Sequence, residues 1–577
     1  MTLTQWLLFL LVIQIIHGLG TWKLYVKAGR QAWEAFVPVY NGVILMKIIN
    51  RPWWWVILLF LPIVNLIMLM VVWVETARSF GKNTYTDTFL AVVSLGFYNY
   101  YLNYVADVNY VENRSLQPKS GSGEWTSSIL FAIVAATIVH TYFMQPFTIP
   151  SSSLEKSLLV GDFLFVSKFH YGARVPMTTV AAPMVHDTIP VANVKSYTFN
   201  DNFEKRNTSW INKLQLPYMR LPGFQKIKRN DIVVFNQPAD TLLDMNDFTP
   251  DRNYYKPIDK KTNLVKRCVG IPGDSLEIID GYVYINGEKN ELPDRAALQH
   301  YYTFISENAI SQEFIDKYEI ESTWSFYKIK AEYWDDNRVK KYLNEEVNGQ
   351  KRSYLKESSR DSINVEVVGF IPYQEMTKLK MAPIKNKYNI NLTAKNAEII
   401  KNLPSTIFLE QFSYQLKDDS TFPHSPLYSW NFDNFGPIYI PKKGATVNIN
   451  LEVLPLYKRV ITEYEGNTLQ VAGNQIKING EVVNSYTFKQ DYYWMMGDNR
   501  NNSIDARGWG YVPFNHVFGK PVLVWMSWDG IKNPRWERFF TTVHGEGKPT
   551  SFLMPVLICI GGLIGFNKWK ARKKAKA

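Results

Sequence analysis

Trp53 to Val74 reads WWWVILLFLPIVNLIMLMVVWV, 22 residues without a formal charge. At 1.5 Å per residue a helix of that length crosses about 30 Å of hydrocarbon, so part of this chain belongs in a bilayer. Four more apolar stretches accompany it. Trp6–Leu19 opens without a basic segment and reads as a first span rather than a cleaved leader. Phe89–Tyr104 either spans or lies in the interface on its Tyr-rich end. Ser127–Phe147 holds no Asp, Glu, Lys or Arg, and its His140 reads as an interfacial side chain. Phe552–Phe566 is short, and a lysine tail follows it at once. Five spans are expected, with four as the other count.

The 64 Lys+Arg against 52 Asp+Glu give +12, yet six of the basic residues (Lys568, Lys570, Arg572, Lys573, Lys574 and Lys576) crowd into the C-terminal tail. A nucleic-acid groove would spread them along a domain, so the expected partner is the lipid bilayer and not nucleic acid. Basic flanks stay cytoplasmic. That places the C-terminus inside, the roughly 400 residues between Phe147 and Phe552 outside, and the loop with Lys23, Lys27, Arg30, Lys47 and Arg51 inside. Cys268 and Cys559 are the only cysteines, so neither a disulfide framework nor a Cys-ligated zinc site is expected. The eight histidines show no HExxH spacing and no Walker-type glycine loop occurs, so no metal and no cofactor are expected.

At 577 residues the chain must hold several units. From Ser151 onward short Val/Ile/Phe/Tyr runs alternate with Gly, Pro, Asn and Asp, as in DFLFVSKF, DIVVFNQP and VLVWMSWD, the texture of a β domain. SLEIIDGYVYINGE (275–288) and TLQVAGNQIKINGE (468–481) each predict a hairpin, with turns at Asp280-Gly281 and Gly473-Asn474. They are a repeated unit or the shared grammar of hairpins. Between them, 297–445 differs in composition: QEFIDKYEIESTWSFYKIKAEYWDDNRVKKYLNEEVNG is charged and helix-compatible, with strand-like pieces after it. The expected architecture is a multi-span α-helical membrane anchor plus a mainly β extracytoplasmic domain carrying a large α+β insertion. Its divisions are 1–110 membrane region, 111–126 cytoplasmic linker, 127–147 span, 148–296 first part of the β domain, 297–445 insertion, 446–549 second part, 550–567 C-terminal anchor and 568–577 basic tail.

Four stretches carry chemistry when taken together. IPSSSLEKSLLVGDFLFVSKFHYG, from Ile149, is by itself a polar loop leaving the membrane. KIKRNDIVVFNQP, from Lys226, is a strand after a charged turn. LVKRCVGIPGDSLEI, from Leu264, sets Lys266 among Leu264, Val265 and Val269, where snorkelling of its stem is the plain account. YYWMMGDNRNNSIDARGWGYVP, from Tyr492, reads alone as a surface turn.

In this order and behind a span, they resemble the type I signal (leader) peptidases, membrane-bound serine endopeptidases with a Ser-Lys dyad. The family form Ser-x-Ser-Met-x-Pro-Thr-Leu stands as Ser151 to Leu158. Lys-Arg-x-x-Gly-x-Pro-Gly-Asp is intact from Lys266 to Asp274, and Gly-Asp-Asn-Arg-x-x-Ser-x-Asp-x-Arg from Gly497 to Arg507. The resemblance covers 127 to about 290 and 466–529 and implies a signal-peptidase-like β fold. It implies Ser153 as nucleophile, Lys266 as general base, and Ser503 as the group that orients the lysine. It also implies an oxyanion hole from the Ser153 N–H and the Ser151 hydroxyl, braced by the pairs Asp498 with Arg500 and Asp505 with Arg507. The base role is demanding. An ordinary lysine, near 10.4, leaves about four molecules in ten thousand neutral at pH 7. Desolvation must lower it by roughly 2 to 3 pH units, about 3 to 4 kcal/mol.

Three positions depart from the family form: Leu154 for Met, Glu155-Lys156 for x-Pro, and Asn230 where Gly is usual. None removes a reacting atom. Asn tolerates the left-handed backbone that Gly uses. The implied activity is removal of signal peptides, with small residues before the cut, from secretory preproteins at the bacterial cytoplasmic (inner) membrane, the secretion translocon being a candidate neighbour. The other class of function is a membrane-anchored binding or assembly protein with a vestigial dyad.

Overall fold

In the computed structural model, which describes residues 2–576 except 119, 191, 203, 239–254, 344–345, 348–349, 352 and 531–532, the N-terminal apolar sequence forms helix α1 (Leu3–Lys27). A reciprocal capping box between Thr2 and Gln5 starts it. Gly20 lets the helix Tyr98–Tyr104 lie close, since a Cβ there would come 2.4 Å from the Tyr100 ring. Asn103 Oδ1 accepts from the backbone N–H of Lys23 and Leu24, and the Tyr104 hydroxyl donates to Leu19 O. The stretch 89–104 is therefore not one span but parts of two short helices, Tyr85–Val93 and Tyr98–Tyr104.

The 22-residue apolar run at 53–74 is also not a single helix. It forms Trp55–Leu58, breaks, and resumes as Val64–Ser79. Pro62 sits in the break; it has no N–H to donate, and Ile63 after it takes φ 71°. The span expected at 127–147 begins earlier and ends sooner. Helix α2 (Gly121–Ile138) continues as a π turn to Phe143, and Met144–Thr148 leaves it as a strand where Pro146 forbids further helix. Helix α3 (Leu553–Lys576) runs from the apolar C-terminal stretch into the basic tail. Among the described residues, α1 and the helix Gly121–Phe143 are the two long and apolar enough to cross a bilayer.

The central sheet comprises β1 (Met144–Thr148), β2 (Asp162–Ser167), β3 (Ile232–Asn236), β4 (Asn263–Gly270), β5 (Tyr492–Met496), β6 (Val512–Pro513) and β7 (Val517–Asp529). They pair antiparallel in the order β1-β2-β7-β3-β4-β5-β6. This order places the β1–β2 loop, the middle of β4 and the β5–β6 loop around one end of the sheet, and all three carry the chemical motifs. Both hairpins form, Ile279 opposite Tyr282 and Ala472 opposite Gln475. Each continues through an Asn-Gly turn, Asn286-Gly287 or Asn479-Gly480, into a third short strand. The two asparagines repeat one contact, Oδ1 accepting from the N–H of Ser275 or of Thr468, each 11 residues upstream.

A second, six-stranded antiparallel sheet occupies 299–411, in the order 354–360, 364–370, 323–330, 382–393, 299–306, 406–411. Thr323–Lys330 (TWSFYKIK) is a strand inside the stretch read as helix-compatible; Phe326 and Ile329 are buried while Lys328 and Lys330 are exposed. The chain leaves this sheet at Gln411, and Phe435–Tyr439 pairs with Ser275–Ile279.

Gly161 fixes how closely the β1–β2 loop lies on β7: it has φ 84°, and a Cβ there would stand 2.0 Å from Trp528 O. Gly161→Ala should cost at least about 2 kcal/mol, read as a lowered unfolding midpoint of the full chain in detergent.

Candidate active site

β1 ends at Thr148, and the chain turns through Ile149 and Pro150 into a single 3-10 turn, Ser152–Leu154. Leu154 and Leu158 anchor this loop in an apolar cluster with Ile149, Leu164 and Val234. Ser153 is buried, and its carbonyl accepts from the N–H of Asn499 at 3.1 Å. Lys266 rises from β4 opposite Val233. Its three apolar neighbours in sequence pack into three different clusters, Leu264 with Phe235 and Trp509, Val265 with Val234 and Leu158, Val269 with Trp494 and Ile440. Lys266 is 4% exposed, and its Nζ donates a hydrogen bond to Ser153 Oγ. Burial lowers its ammonium to about 8; Asp505 and Asp498 pull upward and Arg507 adds to the lowering.

The β5–β6 loop closes over this pair. Gly497 lies between Ser153 and Ser503: a Cβ on it would stand 2.3 Å from Ser503 Oγ and 2.5 Å from Ser153 O. Ser503 is buried at the site, but its hydroxyl has no hydrogen-bond partner among the described residues, so the expected contact with Lys266 is not formed. Ser151 is exposed, two residues before Ser153. Asn230 has φ 70°, the left-handed backbone expected where Gly is usual.

Of the two expected ion pairs, one holds. Asp505 receives Arg507 Nη2 at 2.8 Å with both side chains fully buried, and also accepts from the Gly497 N–H at 3.1 Å. Asp498, however, pairs with Arg267 and not with Arg500, at 2.7 Å to Nε and 2.5 Å to Nη2. Adjacent strand residues face opposite ways, so Lys266 turned to Ser153 leaves Arg267 turned to Asp498. Met496, opposite Arg267 across the β4–β5 ladder, brings Asp498 within reach. Arg500 is buried with Nη1 3.5 Å from Met496 Sδ. Two carboxylates thus face three guanidiniums, and both are held below the ordinary aspartate value against the opposing effect of burial, Asp498 by Arg267 and Asp505 by Arg507. Sequence reasoning also missed Ser157, whose hydroxyl donates to Asp498 at 2.5 Å. Beside the loop opens a cleft of about 630 Å³, whose lining includes Ser152, Glu155, Phe163, Glu321 and Trp528.

A serine hydroxyl held against a desolvated amine on an antiparallel sheet is the layout of a serine hydrolase. Residues 122–377 and 484–528 match the signal peptidase family, peptidase S26. Residues 33–113 match a family of unknown function. Signal peptidase I of Buchnera aphidicola subsp. Acyrthosiphon pisum (strain APS) is 22% identical over 400 residues, 69% of this chain and 74% of that protein. Signal peptidase I of Rickettsia massiliae (strain Mtu5) is 25% identical over 192 residues, 33% of this chain and 51% of its own length. That of Rickettsia conorii (strain ATCC VR-613 / Malish 7) is 24% identical over 266 residues, 44% and 76%. The chain belongs to the S26 signal peptidases, serine endopeptidases that remove N-terminal signal peptides from secreted preproteins.

Gly497→Ala should separate Ser153 from Ser503 and lower kcat at least tenfold, measured on a purified preprotein. Asp498→Ala strands Arg267 in the interior and should cost about 3 to 5 kcal/mol, read by denaturant unfolding.

Proposed function

We propose that Ser153 is the nucleophile of this cleavage and Lys266 its general base. The observation that carries the reading is the contact between Lys266 Nζ and Ser153 Oγ inside the protein. In the neutral amine Nζ has a lone pair. It takes the Ser153 proton as Oγ bonds to the carbonyl carbon of the scissile peptide, then passes that proton to the departing amine. The acyl-enzyme ester is cleaved by water, whose proton goes to Lys266 and returns to Ser153 Oγ. The oxyanion is met by the Ser153 N–H and, after rotation of its side chain, by the Ser151 hydroxyl. Ser503 holds Nζ in line once substrate excludes water. Asp505 with Arg507, and Asp498 with Arg267, brace the loop and touch no reacting atom; Arg500 fills the space between them.

The enzyme works as a multi-pass protein at the outer face of the bacterial cytoplasmic membrane. α1 and the helix Gly121–Phe143 cross, and α3 anchors the C-terminus with its lysines inside. Three crossings in place of five leave the sidedness unchanged, because two crossings cancel: the loop with Lys23, Lys27, Arg30, Lys47 and Arg51 stays cytoplasmic and the β domain outside. The last helical turn before the site ends at Phe143, so Ser153 lies ten residues from the bilayer, where cleavage sites emerge beside the translocon.

In membrane vesicles Ser153→Ala and Lys266→Ala should each abolish processing of a preprotein; an Ala variant that still processes would falsify the dyad. With a base near 8, neutrality is lost as pH falls, so kcat/KM should rise about tenfold per pH unit up to a midpoint near 8 and then level.

A further inference from the structure

The second sheet does not stand apart from the site. Asn499, buried in the β5–β6 loop, is the junction. Its backbone N–H donates to Ser153 O at 3.1 Å and its Nδ2 to Ser152 O at 3.2 Å, so both carbonyls that set the direction of the 3-10 turn hang on one residue. What orients the Asn499 amide comes from the second sheet and the turn that leads into its strand 323–330. Glu321 Oε2 accepts from Nδ2 at 2.6 Å, and Asn391 Nδ2 donates to Oδ1 at 2.9 Å with both side chains buried. An amide gripped at both its nitrogen and its oxygen has one orientation, whereas a free one flips.

Two further contacts point the same way. Gln299 joins the loop backbone, its N–H donating to Asp498 O at 2.9 Å and its O accepting from Arg500 N at 3.0 Å, while its side chain donates to Glu155 O at 2.9 Å. Lys156 pairs with Glu319 at 2.8 Å. Lys156 replaces the family proline and has φ 69°, a conformation closed to proline, whose ring holds φ near −65°. The loop that presents the serine has lost its internal stiffener and is held from outside.

We propose that Glu321, two residues before the strand 323–330, and Asn391 of the second sheet are positioning residues for catalysis: by fixing the Asn499 amide they fix the carbonyls of Ser152 and Ser153, and hence where the Ser153 hydroxyl stands relative to Lys266. This rests on Ser153 being the nucleophile. Substrate need not touch either residue, so the effect falls on kcat rather than on KM.

The full-length enzyme in detergent, assayed on a purified preprotein, tests this through Glu321→Ala, Glu321→Gln and Asn391→Leu. Glu332→Ala, exposed in the short helix Ala331–Trp334 that follows the strand 323–330, serves as control, and Ser153→Ala is run alongside. Glu321→Ala should lower kcat at least tenfold with KM within threefold and an unfolding temperature near that of wild type. Glu321→Gln keeps an acceptor oxygen for the Asn499 amide and should restore kcat to within about threefold. Asn391→Leu should lower kcat as Glu321→Ala does, and Glu332→Ala should change nothing. Unchanged kcat in Glu321→Ala, with Ser153→Ala inactive, overturns the proposal alone. So does a rise in KM at constant kcat, which would make Glu321 a substrate contact in the cleft. Equal losses in the Ala and Gln variants together with a lowered unfolding temperature overturn it as well, leaving only a structural role. Processing by Ser153→Ala would instead overturn the nucleophile assignment beneath it.

Discussion

The catalytic half of this protein is organised around one interaction, the contact of the buried Lys266 amine with the Ser153 hydroxyl, and around the burial that lowers that amine toward neutral pH. Water must be kept from Lys266, and the sheet order does this by running β4 through the meeting point of three apolar clusters. The charges beside it are buried as well, and each of Asp505 and Arg507 is compensated by the other. Lowering the amine to about 8 leaves roughly a tenth of molecules neutral at pH 7, some two hundred times more than an ordinary lysine provides.

The motifs were legible because their spacing is written in the chain itself. Lys266 to Asp274 and Gly497 to Arg507 name the residues around the site, and Asp280-Gly281 and Gly473-Asn474 name two turns. What escaped was pairing across the fold. Asp498 lies two residues from Arg500 in sequence but faces Arg267 across the β4–β5 ladder, and only the register of that ladder decides between them. The Asn-Gly dipeptides at 286–287 and 479–480 are sequence signals of the same kind for the third strands. In the membrane half, apolar composition said what Trp53–Val74 dissolves in and not what shape it takes; Pro62 settled the shape.

Departures from a family pattern are often read as decay. Here the backbone at Lys156 occupies a region that the replaced residue could not enter, and its side chain reaches Glu319, 163 residues away. In this chain the loop is tied at Lys156 to a residue of the 299–411 region. Asn230 is the simpler case, a residue that accepts the conformation of the glycine it replaces and adds contacts to Asn290 and Glu291.

Sequence separation gives the site a timetable. Ser153 and Lys266 lie 113 residues apart, and the loop that completes them contributes Asn502, 350 residues beyond Ser152. A chain emerging from the ribosome exposes Ser153 and Lys266 long before the residues that bury and align them. Until β5 pairs with β4, the loop from Gly497 to Arg507 that covers Lys266 is not in place. The two side chains of the proposed dyad therefore meet in a closed site only after the last strands have joined the sheet.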